Sequence, residues 1–184
     1  MTAKTALVPI ADGSEDIESV TIIDVLRRAG VEVTVASVMP EQRLQITAAR
    51  GTRIVADAHI EHCLATQYDL IALPGGLPGA NHLRDCAPLI ALLRTQREAG
   101  RWFSAICASP AVVFASHNLD ADYGTTSHPG FTDQLHHFQN QRTVMDRNCI
   151  TSQGPGTALE FSLALVEALL GKDKRDQVAA PMVL

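Results

Sequence analysis

No two cysteines of this chain share a C-x-x-C spacing. Cys63, Cys86, Cys107 and Cys149 stand 23, 21 and 42 residues apart. That excludes a zinc ribbon and a dithiol redox motif. Positive charge is not in excess either: 15 Lys+Arg face 20 Asp+Glu, a formal net charge of −5. Binding along a phosphate backbone needs a basic face, so no dedicated nucleic-acid surface is expected, although a local basic pocket is still open. Long apolar runs are missing. The longest stretch free of Asp, Glu, Lys and Arg is the 18 residues from Trp102 to Leu119, broken by Pro110, His117 and Asn118. It makes a poor membrane span. The apolar stretch that follows Lys4 covers six residues before Asp12, too short for the core of a signal peptide. Internal repeats and low-complexity tracts are absent.

What is present suits a packed interior. Of 184 residues, 46% are apolar and 19% charged. Disorder needs far lower hydrophobicity. The length predicts one domain over residues 1–184. The expectation is a soluble, cytoplasmic protein with four reduced thiols.

Strand-length apolar runs alternate with helical stretches. Thr5 to Ile10 reads as a first strand. Ser14 is a plausible N-cap, with Glu15, Asp16 and Glu18 in a first turn where the helix dipole favours acids. Arg27, Arg28 and Gly30 make a helix exit. Val31 to Ala36 alternates as a second strand, and Leu44–Thr47 and Thr52–Val55 suggest a small hairpin around Gly51. Leu70 to Leu73 and Trp102 to Ile106 read as buried strands, with a helix from Leu89 to Ala99 between them. A helix is expected from Ala108 to Ser116, since Pro110 is tolerated in a first turn. Ile150 to Ser152 is a short strand, and Ala158 to Leu170 an apolar amphipathic helix ended by Gly171. Continuous apolar strands between helices predict an α/β fold with a mostly parallel sheet covered on both faces. An open, doubly wound sheet fits this length better than a barrel of about 250 residues.

In open sheets ligands sit beyond the carboxyl ends of the strands. Three unusual segments fall at such ends: Ala11–Glu18, Pro74–Gly79 and Cys107–Pro110. Cys107 lies between a strand and a helix, in Ala105-Ile-Cys-Ala-Ser109, with small residues two before and two after. A nucleophile elbow has this layout. A helix N-terminus there predicts a lowered thiol pKa. A lone cysteine is more often a small buried hydrophobe, so context sets Cys107 apart from the other three. Gly75-Gly76 could bring backbone N–H groups close to a ligand or oxyanion, or could simply form a tight turn. Acids at a helix start are commonly solvated, yet one of Glu15, Asp16 and Glu18 could face Cys107 as a neutral acid. Spacing does not select which. His128, in Ser127-His-Pro-Gly130, is the best candidate base. His136 and His137 read as solvated, and Asp57, His59 and His62 could be tried as metal ligands, but no pattern requires one.

Together these motifs resemble the ThiJ/PfpI superfamily, in particular the branch holding the Parkinson-associated protein DJ-one and its bacterial relative YajL. The resemblance runs nearly end to end. It is carried by Ala6-Leu-Val8, Gly13-Ser-Glu-Asp-Ile-Glu18, Asp24-Val-Leu-Arg-Arg-Ala-Gly30, Val33-Thr-Val-Ala36, Leu73-Pro-Gly-Gly76, Ala105-Ile-Cys-Ala-Ser-Pro110, His128-Pro129 and Thr151-Ser-Gln-Gly-Pro-Gly-Thr157. It implies a flavodoxin-like sandwich, usually a homodimer, working without a cofactor. Glu18 falls on the glutamate expected to be protonated beside the reactive cysteine, and Cys107 on that cysteine. His128 falls on the neighbouring histidine, and Gly76 and Ala108 on backbone N–H positions that could hold an oxyanion. Asp24, Arg28 and Arg50 match positions near the dimer interface. Protease-like members carry His directly after the cysteine; here it is Ala108, which argues against peptidase activity. Relative to DJ-one, Ser109 replaces a glycine and Ser127 precedes His128.

The implied activity is cysteine-dependent deglycase or glyoxalase chemistry on methylglyoxal, glyoxal or their protein and nucleotide adducts. The alternative is a redox sensor or redox-regulated chaperone using an oxidisable Cys107. A flavin or nucleotide module finds no G-x-G-x-x-G or Walker A pattern to support it.

Overall fold

The computed structural model describes residues 3–184. Its centre is a seven-stranded sheet. The strands are β1 (Thr5–Ile10), β2 (Glu32–Ser37), β5 (Ala58–His59), β6 (Leu70–Leu73), β7 (Trp102–Ile106), β8 (Thr143–Asp146) and β9 (Cys149–Ser152). They run in the order β5-β2-β1-β6-β7-β9-β8. All neighbouring pairs are parallel except β8 and β9. β3 (Gln45–Thr47) and β4 (Arg53–Val55) form a separate antiparallel hairpin. The helices are α1 (Asp16–Arg28), α2 (Gly79–Asp85), α3 (Ala87–Glu98), α4 (Ala158–Leu170) and α5 (Lys172–Ala179). They cover both sides of the sheet, the flavodoxin-like arrangement expected.

Burial explains the strands. β6 and β9 are buried at every position, and β1 and β7 at all but the first. β6 reads as a continuous apolar run because helices shield both faces, while β7 and β9 also bury Ser104, Thr151 and Ser152, whose hydroxyl groups are hydrogen-bonded. Phe103 of β7 sits at the centre, with ring centroids 5.3 Å from Phe114 and 5.4 Å from Tyr123. α1 packs along α4, and α3 against β6 and β7.

Sequence order proceeds outward from β1 to β2 on one side, then returns to β6 on the other. The strand order therefore reverses between the parallel neighbours β1 and β6, where a crevice opens beyond the carboxyl ends.

Several expected elements change. Glu15, not Ser14, caps α1: its Oε2 accepts the Glu18 N–H at 2.8 Å. Ser14 instead accepts the Ala11 N–H at 3.0 Å, closing the turn before the helix. The segment after Cys107 is no regular α-helix. It forms a π-helical turn over Pro110–Phe114, then a 3-10 turn over Ala115–His117. Wider turns of this kind occur mostly as single insertions near functional sites. β8, α2 and α5 have no counterpart in the sequence reading. β8 buries Val144 alone, α5 buries Val178 alone, and α2 begins on Gly79 straight after a loop. None offers the apolar period on which pattern reading depends.

Candidate functional site

The ends of β1, β6 and β7 meet at Cys107. The chain leaves Ile106, and Cys107 adopts φ 65°. That left-handed conformation is unfavourable for a residue with a Cβ. Contacts on two sides hold it: the Cys107 N–H donates to Ser152 O at 3.0 Å, and its carbonyl accepts the His128 N–H at 2.8 Å. Strain imposed by surrounding structure is the signature of an elbow. Two glycines make room. A Cβ on Gly75 would stand 2.6 Å from Cys107 Cβ, and one on Gly76, at φ 86°, would stand 2.4 Å from Gly13 O.

Glu18 reaches this point from the first turn of α1. Its side chain is fully buried. Oε2 accepts the Gly75 N–H at 2.7 Å. Oε1 has no partner of ordinary hydrogen-bond geometry. The carboxyl also interacts with the Cys107 thiol. Burial pushes Glu18 up from 4.5 to about 7, against the opposing pull of the Gly75 N–H.

The Cys107 thiol goes up as well, to about 12, through burial first and the Glu18 charge second. The N–H groups of Gly76 and Ala108 both point at the sulfur and pull the other way, but do not prevail. The lowered thiol pKa expected from a helix start is therefore not found: desolvation exceeds the contribution of two amides. Burial also raises Cys63, Cys86 and Cys149. Titration alone does not single out Cys107; the carboxyl and two free amides around it do.

A cleft of about 340 Å³ opens over the sulfur, lined by Glu15, Arg50, Leu77, His128 and Phe131 among others. Cys107 keeps 9% of its surface exposed within it. His128 is on this rim, but no hydrogen bond joins its ring to Cys107 or Glu18. Its Nδ1 accepts the Gly130 N–H at 3.1 Å, so the neutral ring carries its proton on Nε2. Arg50 is held at the cleft by its backbone N–H, which donates to Asp16 at 2.8 Å. Of the three acids, Glu18 is the buried one facing Cys107, Glu15 is the helix cap, and Asp16 ties down the hairpin through Arg50 and Thr52.

The remaining candidates lie elsewhere. Asp24 and Arg28 pair with each other along α1 at 2.7 Å, half exposed. Asp57 is engaged by Arg27 at 3.0 Å and the Val35 N–H at 2.9 Å. His59 hydrogen-bonds to the Met39 carbonyl at 2.9 Å, so these residues and His62 form no ligand set. His136, expected to be solvated, pairs through Nδ1 with the buried Asp120 at 2.7 Å. A larger cleft of about 650 Å³, lined by Arg84, Arg94 and His117, holds no nucleophile. Gly75 and Ser109 were both visible in the sequence, but not that the Gly75 N–H holds Glu18 or that the Ser109 hydroxyl reaches Pro74 O. Neither residue type announces which way its donor points. Among the described residues no helix is long and apolar enough to cross a membrane.

An open α/β sheet with a cysteine elbow, a buried carboxyl and two free amides at one strand end defines a class of proteins. Residues 4–168 match the model of the DJ-1/PfpI family, and the chain belongs to that family. It is 42% identical to Protein DJ-1 homolog B of Arabidopsis thaliana, over 98% of this chain but 42% of that protein's length. The chain therefore spans less than half of that relative. It is 35% identical to the glutathione-independent glyoxalase DJR-1.2 of Caenorhabditis elegans, over 98% of this chain and 97% of that one. The oxidized DJ-1 structure of Toxoplasma gondii superposes with a TM-score of 0.96 at 42% identity, covering 98% of both chains.

Proposed function

We propose that this protein is a cofactor-free glyoxalase or deglycase, using Cys107 on methylglyoxal, glyoxal or the adducts these form on protein and nucleotide groups. One observation carries the reading: the unpartnered Oε1 of buried Glu18, set beside a thiol that also meets two backbone N–H groups. A relative named as a glutathione-independent glyoxalase supports it.

The pair sheds its first proton near pH 7, where Glu18 titrates. Above that, Glu18 accepts the thiol proton as sulfur attacks the aldehyde carbon. The new oxyanion falls to the N–H groups of Gly76 and Ala108. Glu18 returns the proton to that oxygen, giving a hemithioacetal. Glu18 then removes the hydrogen on the former aldehyde carbon and delivers it to the neighbouring carbon, while the proton on the hemithioacetal oxygen passes to the neighbouring ketone oxygen. The product is a thioester of lactate on Cys107, formed with no net oxidation. Water cleaves it, releasing lactate and the thiol. His128, with its proton on Nε2, serves as a donor to the substrate oxygens rather than as a base. The test is lactate release from methylglyoxal. Cys107→Ala is expected to abolish it, and a variant as active as wild type overturns the proposal.

A redox role for the same thiol has its own support. The Toxoplasma gondii relative is described as oxidized, and a protonated Glu18 would hydrogen-bond a sulfinate oxygen. Two peroxide equivalents would take thiolate to sulfinate with release of two waters. A selective two-oxygen mass increase, lost in Cys107→Ala, is expected after mild peroxide; its absence refutes this role. No observation singles out a chaperone. The four free thiols suit the reducing cytoplasm. Exposed Ile17 and Val20 on α1, next to the Asp24–Arg28 pair, suit a homodimer face.

A further inference from the structure

We propose that Ser109 is a positioning residue for the Glu18–Cys107 pair, acting through the Pro74–Gly75 peptide. It rests on the reading of Glu18 as the proton acceptor of Cys107. Ser109 is fully buried, two residues past the nucleophile position. Its hydroxyl donates to Pro74 O at 2.6 Å. That carbonyl belongs to the same peptide unit as the Gly75 N–H, which donates to Glu18 Oε2 at 2.7 Å. One planar amide thus carries a hydroxyl at its oxygen end and a carboxyl at its nitrogen end.

Two effects follow. The first is electrostatic. Donation to an amide oxygen polarises the amide and strengthens what its N–H gives, a cooperative gain on the order of 10–30% per bond. Ser109 therefore favours the ionised form of Glu18, the form able to take a proton. The second is geometric. Paired register between β6 and β7 ends at Leu73 and Ala105. Beyond it the Cys107 N–H turns away to Ser152 of β9. Gly75 can bear no side chain, since a Cβ would collide with Cys107 Cβ at 2.6 Å. A peptide ending in glycine rotates readily. The Ser109 hydroxyl bridges the elbow to this peptide and opposes a rotation that would turn the Pro74 oxygen toward the carboxyl.

The charged groups near Glu18 are few. Cys107 approaches from the elbow and Glu15 from the start of α1; Arg50 and His128 line the cleft that Cys107 also lines. None of them contacts the Pro74 carbonyl, so removing the Ser109 hydroxyl changes one end of one peptide.

The experiment is the pH dependence of Cys107 alkylation by iodoacetamide, read by intact mass from pH 5 to 9. It compares wild type with Ser109→Ala, Ser109→Gly and Glu18→Gln, with thermal melting as a fold control. In wild type the rate is expected to rise through an inflection near 7, and Glu18→Gln to remove it. Ser109→Ala and Ser109→Gly are expected to move it upward by roughly 0.5 pH unit, because a weaker Gly75 donor leaves the carboxylate less stabilised. If Glu18→Gln removes the inflection but both serine variants keep it in place, even with lowered melting temperatures, Ser109 is merely structural and the proposal falls alone. If wild type shows no Glu18-dependent inflection, this proposal and the acid–base reading of Glu18 fall together. Should Ser109→Ala fail to fold, Ser109→Gly decides, since it removes the same hydroxyl.

Discussion

Glu18→Gln should inactivate the protein and stabilise it above neutral pH. The two side chains share a shape, and the glutamine carbonyl can still accept the Gly75 N–H now bound at 2.7 Å. What disappears is the ionisable group. In the folded chain Glu18 titrates near 7, against 4.5 for an ordinary glutamate. The folded state thus binds this proton more tightly than the unfolded one. Below 4.5 both states hold it, and ionisation of Glu18 costs nothing. From about 4.5 upward the unfolded chain releases it while the folded chain holds it, so stability falls across the window up to about 7, above which the folded chain too must ionise a carboxyl with no access to water. At about 1.4 kcal/mol per pH unit, a carboxyl raised from 4.5 to about 7 destabilises the fold by about 3 kcal/mol once ionised. Glutamine avoids that cost. For a chain of this size each kcal/mol moves Tm by roughly 2–4 °C, so the variant should melt up to roughly 6–12 °C above wild type at pH 8.5. The gap should close below pH 5. Lactate release should meanwhile fall by about 100-fold or more, the usual loss of a general base. Scanning calorimetry at pH 5 and 8.5 checks the first claim. A Tm difference that does not change with pH refutes the burial cost assigned to Glu18, and an active variant refutes its role.

Other perturbations probe the surroundings. Cys107→Gly should be more stable than Cys107→Ala by about 1 kcal/mol in urea, because glycine alone adopts φ 65° without strain. Gly76→Ala should cost roughly 2–5 kcal/mol, since its Cβ would meet Gly13 O at 2.4 Å in a left-handed conformation. Phe103→Ala should cost about 3–5 kcal/mol by denaturant unfolding, given its full burial against Phe114 and Tyr123. Ile17→Asp should convert a dimer to a monomer in gel filtration, and an unchanged elution volume would refute the homodimer face.

Sequence determined this fold because its physics is local and repetitive. Strands buried on both faces are mostly apolar, as Ala6–Ile10, Leu70–Leu73 and Phe103–Ile106 are, with Ser104 the one polar side chain and its hydroxyl donating to Ile71 O at 3.2 Å. The cysteine elbow was legible for a related reason: a turn this tight tolerates only small neighbours, and Ala105 and Ser109 supply them. Elements lacking an apolar stripe, such as β8 and α5, left no such trace. Sequence also brought three acids to the start of α1 without ranking them. The family resemblance pointed to Glu18, and the tertiary structure supplied the physical reason by enclosing Glu18 while Asp16 bound a hairpin and Glu15 capped the helix. It reversed the expected direction of the Cys107 shift too, because how much water a thiol loses depends on everything packed around it. A residue's type fixes which proton it can give or take; the packing of distant segments fixes what that proton costs.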